Sequence, residues 1–181
     1  MVRYAGIDLA GSPRNPSGVA VIEHSRGLRI VFIGLLYSDE DILGLVERLK
    51  PVVAAVDAPL TPGRGYRSVD LELIKRGYRV LPPGWRGMRM LYERAVRLAG
   101  IMRGMGVEVV ETHPRSALKS SGCSDVYRLA EAVGITVNTV LSRDEEDALV
   151  ASIVALKHGE GGVLVFKACD GEVFLLRRLC D

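Results

Sequence analysis

The sequence predicts an α/β protein, a mixed central sheet flanked by helices, and three observations carry that reading. Three short Val- and Ile-rich segments follow one another at the start of the chain. A capped helical stretch then leads into a continuous apolar run at residues 52–56. Two long helical patterns come later, one amphipathic and one apolar on most sides.

In chain order, residues 3–9, 18–23 and 28–37 read as the strands of a meander, with a Gly- and Pro-containing loop in the first gap and Ser25-Arg26-Gly27 as a tight turn in the second. Ser38-Asp39-Glu40-Asp41 caps a helix that runs to about Lys50, where Pro51 stops it. The apolar run 52–56 ends in Asp57. A strand, a helix and a buried strand in that order imply a right-handed crossover into a parallel pairing. Residues 59–87 are the least regular part, with Pro59, Pro62, Pro82, Pro83 and five glycines around a short helix that Ser68 caps and Gly77 ends. Met88, Leu91, Ala95, Leu98, Met102 and Met105 recur at helical spacing and define the long amphipathic helix, with the methionines as core filler. A short strand at 107–110 leads into Glu111-Thr112-His113-Pro114, and a short helix follows at 124–133. Ser142 opens the last long helix, and 163–167 with 172–176 form a hairpin around Asp170-Gly171.

The 181 residues are 48% hydrophobic and 25% charged, the composition of an ordinary globular protein, which excludes disordered and fibrous classes. No apolar run is long enough to cross a bilayer, and Asp8 interrupts the amino terminus before a signal-peptide core can form, so a cytoplasmic protein is expected. Cys123, Cys169 and Cys180 form no CxxC pair and read as free thiols, neither a disulfide framework nor a zinc site. Net charge is only +2, but its distribution is uneven. Between residues 62 and 104, ten Arg and Lys face three Asp and Glu, so that segment carries +7 and the remainder −5.

Two strands made otherwise of apolar residues each end in an aspartate, in Gly6-Ile7-Asp8-Leu9-Ala10 and Val53-Ala54-Ala55-Val56-Asp57-Ala58-Pro59. A carboxylate in such a place calls for a cation or a hydrogen-bond network, although an Asp at a strand end also starts turns through its own side chain. The last helix begins Ser142-Arg143-Asp144-Glu145-Glu146-Asp147-Ala148-Leu149. Asp144 and Asp147 lie three apart on one helix face. Capping of the first turn accounts for Asp144 better than for Asp147, which sits a full turn in, where the helix becomes apolar.

Gly6-Ile7-Asp8-Leu9-Ala10, Val56-Asp57-Ala58-Pro59, Glu111-Thr112-His113-Pro114 and Asp144-Glu145-Glu146-Asp147-Ala148-Leu149, in this order, resemble an uncharacterised family of predicted nucleases, domain of unknown function 429, of the ribonuclease H-like superfamily. The resemblance covers essentially the whole chain. It implies one ribonuclease H-like domain over residues 1–181, with an Arg- and Pro-rich insertion at about 59–87. It also implies that the strands ending at Asp8 and Asp57 are parallel neighbours and that the last helix supplies Asp147 and Asp144. Clustered carboxylates repel one another, and Mg²⁺ or Mn²⁺ with hard oxygen ligands relieves that repulsion. Asp8, Asp57 and Asp147 are the expected metal ligands, with Asp144, Glu111 and His113 assisting, in a metal-dependent nuclease. The sequence departs from the best-studied ribonuclease H pattern in lacking an acidic residue that would face the site from the helix before the Asp57 strand. Glu47 is the one mid-helix candidate and is expected to be solvated.

His113 has an ordinary pKa near neutrality and is a candidate acid, base or supporting group; His24 and His158 read as surface residues. The basic segment offers a nucleic-acid face, with Tyr66, Tyr78 and Trp85 as stacking surfaces among the arginines. Arg89, Glu93 and Arg97 are spaced to pair along a helix, whereas the loop arginines Arg64, Arg67, Arg79 and Arg86 have no such partners and are expected to contact phosphate. No phosphate-binding P-loop, dinucleotide fingerprint or Ser/His/Asp nucleophile elbow is present, and Cys123 has no nearby His. Two other readings stay open: a non-catalytic nucleic-acid-binding module on the same fold, and an actin-like nucleotide-binding phosphotransferase, which normally needs a second domain this chain lacks the length to form.

Overall fold

The computed structural model describes residues 1–181 and has thirteen elements: β1 (Val2–Asp8), β2 (Ser17–His24), β3 (Leu28–Leu36), α1 (Asp39–Leu49), β4 (Val53–Val56), α2 (Ser68–Lys75), α3 (Arg86–Gly104), β5 (Glu108–Glu111), α4 (Pro114–Ser121), α5 (Val126–Ala132), α6 (Arg143–Gly159), β6 (Val163–Ala168) and β7 (Gly171–Leu176). Five strands form one sheet in the order β3-β2-β1-β4-β5. The meander β1 to β3 is antiparallel, while β1, β4 and β5 run parallel, joined by helical crossovers. The expected mixed α/β class is therefore the observed one.

Alternation along the strands divides the core in two. Tyr4, Ala20, Ile22, Val53, Ala55 and Val110 face α6 and the elements around it. Ala5, Ile7, Val19, Val21, Ala54, Val56 and Val109 face Ile42, Leu45 and Val46 of α1 and Ala95, Leu98, Ala99 and Met102 of α3. Helix α6 is buried continuously from Ala148 to Leu156, so it is a core element rather than a surface helix. Two glycines let it lie directly on the sheet. A Cβ at Gly6 would stand 2.1 Å from both the Ala148 carbonyl oxygen and the Ser152 amide nitrogen, and one at Gly18 would stand 2.0 Å from the Asp144 carbonyl oxygen. No helix is long and apolar enough to cross a membrane.

Three features differ from the sequence expectations. An extra helix, α4, precedes α5, because His113 is its N-cap and Pro114 its first residue; a segment that reads as the end of a strand is a helix start. Helix α2 is capped at Arg67 rather than Ser68, and the Asp170 carboxylate, from the turn of the β6–β7 hairpin, accepts from the Ser68 and Val69 amides. Cys123 and Cys180 form a disulfide, which corrects the reading of three free thiols; Cys169 alone is free and is exposed. The pair is 57 residues apart, so spacing gives no sign of it. The tail is brought to α4 by Leu179 and Cys180, whose amides both donate to the Ser121 carbonyl oxygen.

The same substitution should have opposite effects at two glycines. Gly6→Ala drives a methyl group into backbone and should destabilise the protein by about 3–5 kcal/mol or prevent folding, as other core overpacking of this severity does. Gly44→Ala, in the open interior of α1 where a Cβ meets nothing within 4 Å, should stabilise it by about 0.5–1 kcal/mol. Denaturant titration of the two variants checks both signs.

Candidate functional site

The parallel strands end together. Ile7, Val56 and Glu111 stand in one register across β1, β4 and β5, so the next residues, Asp8, Asp57 and Thr112, emerge at the carboxyl edge of the sheet, where open α/β sheets bind ligands. The Asp57 amide donates to the Ile7 carbonyl oxygen at 2.8 Å, which holds the start of the β4 loop against β1. Asp8 pairs in register with Gly18, the glycine on which the Asp144 carbonyl rests. The first turns of α6 thus sit over the end of β1, and Asp8, Asp57, Asp144 and Asp147 line one groove.

These carboxylates are poorly compensated. No side chain or amide of the protein donates a hydrogen bond to Asp8 or Asp57, and Asp147 meets only Arg115, at 3.9 Å. Burial, followed by the charges of Asp147 and Asp144, pushes the Asp8 pKa up to about 7, with Arg115 opposing. Asp57 is raised well above the ordinary carboxylate range by burial and then by Asp8, Asp147 and Glu111. Burial also raises Asp147, against the pull of Arg115. The groups feel one another's charge, yet no three His, Cys, Asp or Glu side chains converge to hold one ion.

Glu111 and Arg67 hold positions different from those expected. Arg67 is no free loop arginine: its side chain is 3% exposed and donates to Asp70, Thr61 and Glu111. Burial opposes its charge, but Glu111 and Asp70 more than offset this and raise its pKa. Glu111 lies beside the Asp57 carboxylate, but its oxygens accept from Arg67 and from the Leu60 amide at 2.8 Å. It fastens the loop that follows Asp57. The local sequence Arg67-Ser68-Val69-Asp70 gives half of this arrangement, while the pairing with Glu111, 44 positions away, comes only from the fold.

His113 lines the groove, and its Nδ1 caps α4, accepting from the Ser116 amide, so that Nε2 carries the proton. Burial, then the nearby Arg115, lowers its pKa to about 4. It is a neutral group at pH 7 rather than one titrating near neutrality. Arg64, Arg79 and Arg86 are exposed and make no ion pair, and Arg79 stands on the rim of the carboxylate groove. Three cations on that rim escaped the sequence reading: Arg115, Lys119 and Arg143. Arg115 is placed by the unforeseen helix α4, and Lys119 donates to the Gly77 carbonyl oxygen and lies over the Tyr78 ring, tying the insertion to α4. Arg143 stands next to Asp144 in sequence, so the acidic motif itself was its only signal. Of the proposed helix pairs, Arg89–Glu93 forms, while Arg97 joins Arg94 on the buried Asp39. Glu47 is exposed, as expected, and His158 instead pairs with Glu108 against Phe174.

Two predictions follow from these charges. The folded-state pKa of Asp8 lies above its ordinary value of 3.8, so the stability this group allows is full below 3.8 and is lost as pH rises to about 7. In metal-free buffer, the melting temperature of Asp8→Asn should therefore gain on wild type across that window and stay ahead above it; thermal melts at a series of pH values read the difference. Arg67→Ala leaves Glu111 and Asp70 buried without their partner and should cost about 3–5 kcal/mol. Arg64→Ala, at an exposed and unpaired position, should change stability by less than about 0.5 kcal/mol. Urea unfolding separates the two.

No protein-family model matches the chain, and no curated protein matches its sequence. Among solved structures, the chain is similar to Thermus thermophilus RuvC in complex with a Holliday junction substrate, with TM-score 0.56 and 13% identity, over 95% of this chain and 99% of that one. A second Thermus thermophilus RuvC structure gives TM-score 0.55 and 15% identity, over 88% of this chain and 97% of that one. With strand order β3-β2-β1-β4-β5 and helices on both faces, the chain has the ribonuclease H-like fold.

Proposed function

We propose that the protein is a metal-dependent nuclease, cleaving phosphodiester bonds of nucleic acid at the Asp8, Asp57 and Asp147 groove. The observation that carries this reading is the composition of that groove: uncompensated carboxylates on its floor, ringed by Arg79, Arg115, Lys119 and Arg143. The same groove bears the charge sign of a cation site at its centre and of a phosphate site at its edge. Similarity in fold to RuvC, solved with a Holliday junction, supports the reading, as does the resemblance of four motifs to the predicted-nuclease family.

The chemistry of the donors suits a hard divalent cation such as Mg²⁺ or Mn²⁺, which would draw together carboxylates that do not converge on one point without it. All the donors are carboxylate oxygens, and the charge they accumulate has no protein cation within ordinary salt-bridge distance except Arg115. Asp8, Asp57 and Asp147 would hold it, with Asp144 in reserve. A bound ion of this kind activates water and stabilises the leaving oxygen of a phosphodiester. The chain's own residues do the rest. Arg115 and Arg79 attract the backbone phosphates, the neutral His113 offers an N–H without adding charge, and the Arg67–Glu111 pair keeps the loop after Asp57 in place. The residues fit nucleic acid as a partner, and both DNA and RNA carry the phosphodiester this groove addresses.

Asp8→Asn and Asp57→Asn should each lower Mn²⁺-supported cleavage of nucleic acid by at least about 100-fold while leaving the circular dichroism spectrum intact. A screen of labelled DNA and RNA substrates with and without chelator reads the result. Undiminished cleavage in both variants rejects the assignment, and binding without cleavage under any divalent ion favours the non-catalytic module.

A further inference from the structure

The surface beside the groove carries a second array that phosphate chemistry alone does not explain. The loop at residues 63–65 packs on the loop at 83–84: a Cβ at Gly84 would stand 2.2 Å from the Arg64 carbonyl oxygen and 2.9 Å from the Gly65 amide, and one at Gly63 would stand 3.5 Å from the Pro83 Cβ. Tyr66 and Trp85 each lie one residue beyond this contact, and Arg64 and Arg86 adjoin them. Tyr66 is 46% exposed, Trp85 60% and the neighbouring Leu81 54%. The loop contact brings the chain positions of Tyr66 and Trp85 close together, and rings left this open beside the exposed, unpaired Arg64 and Arg86 are the kind of surface that marks a binding site. Leu81 and Arg79, a few residues before Trp85 in the chain, line the carboxylate groove, which connects the loop carrying Trp85 to it.

We propose that this patch is a stacking platform for unpaired nucleotides and that the substrate is nucleic acid with a single-stranded segment running from the patch to the groove. The proposal rests on the nuclease reading above and adds the class of substrate. Arginines suffice to hold the backbone of a duplex, whose base faces are already stacked on one another. Exposed aromatic rings gain nothing from such a helix along its length, whereas each unpaired base presents a free π-face to them. Arg64, Arg79 and Arg86 then follow the phosphates of the same strand, and these exposed arginines, with Arg76, have no carboxylate partner, which favours a polyanion over a protein partner of neutral surface. Recognition of this kind is tolerant of base sequence.

Trp85 is the only tryptophan of the chain and reports on its own stacking. The experiment uses full-length Asp8→Asn protein in chelator, so that binding is read without cutting. Oligo(dT) of about twelve nucleotides, within the span one such surface covers, should quench Trp85 emission saturably, and covalently closed circular duplex, which has no ends, should do so at least about tenfold more weakly. In fluorescence anisotropy with labelled oligo(dT), Trp85→Ala and Tyr66→Ala should each weaken binding about tenfold, and the Arg64→Ala, Arg86→Ala pair by a similar factor that shrinks with added salt. Unchanged Trp85 emission at saturating oligo(dT), equal quenching by closed duplex, or undiminished binding by both aromatic variants overturns the proposal. Cleavage by wild type with no Trp85 response removes the platform and leaves the nuclease; a Trp85 response with no cleavage under any metal removes the nuclease and leaves the platform.

Discussion

The arrangement depends on the close approach of α6 to β1 and β2. A helix normally stands off a sheet by the depth of two layers of side chains, but Gly6 and Gly18 remove one layer where α6 crosses, and the helix backbone rests on the strands. This contact buries nine consecutive residues of α6, Ala148 to Leu156, and makes the helix part of the core instead of a cover for it. It also fixes where the helix begins. With the Asp144 backbone seated over Gly18, the partner of Asp8 across the β1–β2 ladder, Asp144 and Asp147 line the groove at the end of β1, while Glu145 turns back to cap Ser142.

The protein treats its enclosed charges in two ways, and the contrast is what singles out Asp8 and Asp57. Asp39 is held by Arg94 and Arg97, Glu23 by Arg3 and Arg29, and Glu111 with Asp70 by Arg67; each is a buried carboxylate with guanidinium partners. These pairs tie elements together: α1 to α3, β2 to its neighbours β1 and β3, and the segment before α2 to β5. Asp8 and Asp57 are half-buried yet have no such partner, and their burial and mutual repulsion raise their pKa values. Leaving this cost unrelieved makes no sense for stability alone.

The irregular segment 59–87 is attached to this edge of the sheet by three contacts. The Asp170 turn of the β6–β7 hairpin caps α2, Lys119 of α4 holds the Gly77 carbonyl, and Arg67 reaches Glu111 at the end of β5. A segment rich in Pro and Gly, with little regular structure of its own, is thereby placed with Tyr78, Arg79 and Leu81 lining the carboxylate groove. The Cys123–Cys180 disulfide fastens the carboxy-terminal tail to the segment between α4 and α5, and neither cysteine lines the carboxylate groove.

The sequence by itself determined what local chemistry controls: the alternation of Val and Ile in the strands, the cap at Ser38, the heptad-like spacing of α3, the hairpin at Asp170-Gly171, and the pairing of apolar strands with terminal aspartates that marked Asp8 and Asp57. Acidic residues at the head of α6 were visible too, because a carboxylate beyond the first turn has no capping role. Only the tertiary structure decided which charges are free. Arg67 and Arg64 look alike in the sequence, and what separates them is that Glu111, 44 positions away, folds against one and not the other. The cationic rim of Arg115 and Lys119 rests on a helix whose start was disguised by His113-Pro114, and the partner of Cys123 lies 57 residues off. Ion pairs, disulfides and groove walls are contacts between distant segments, and their energies depend on proximity that no local pattern encodes.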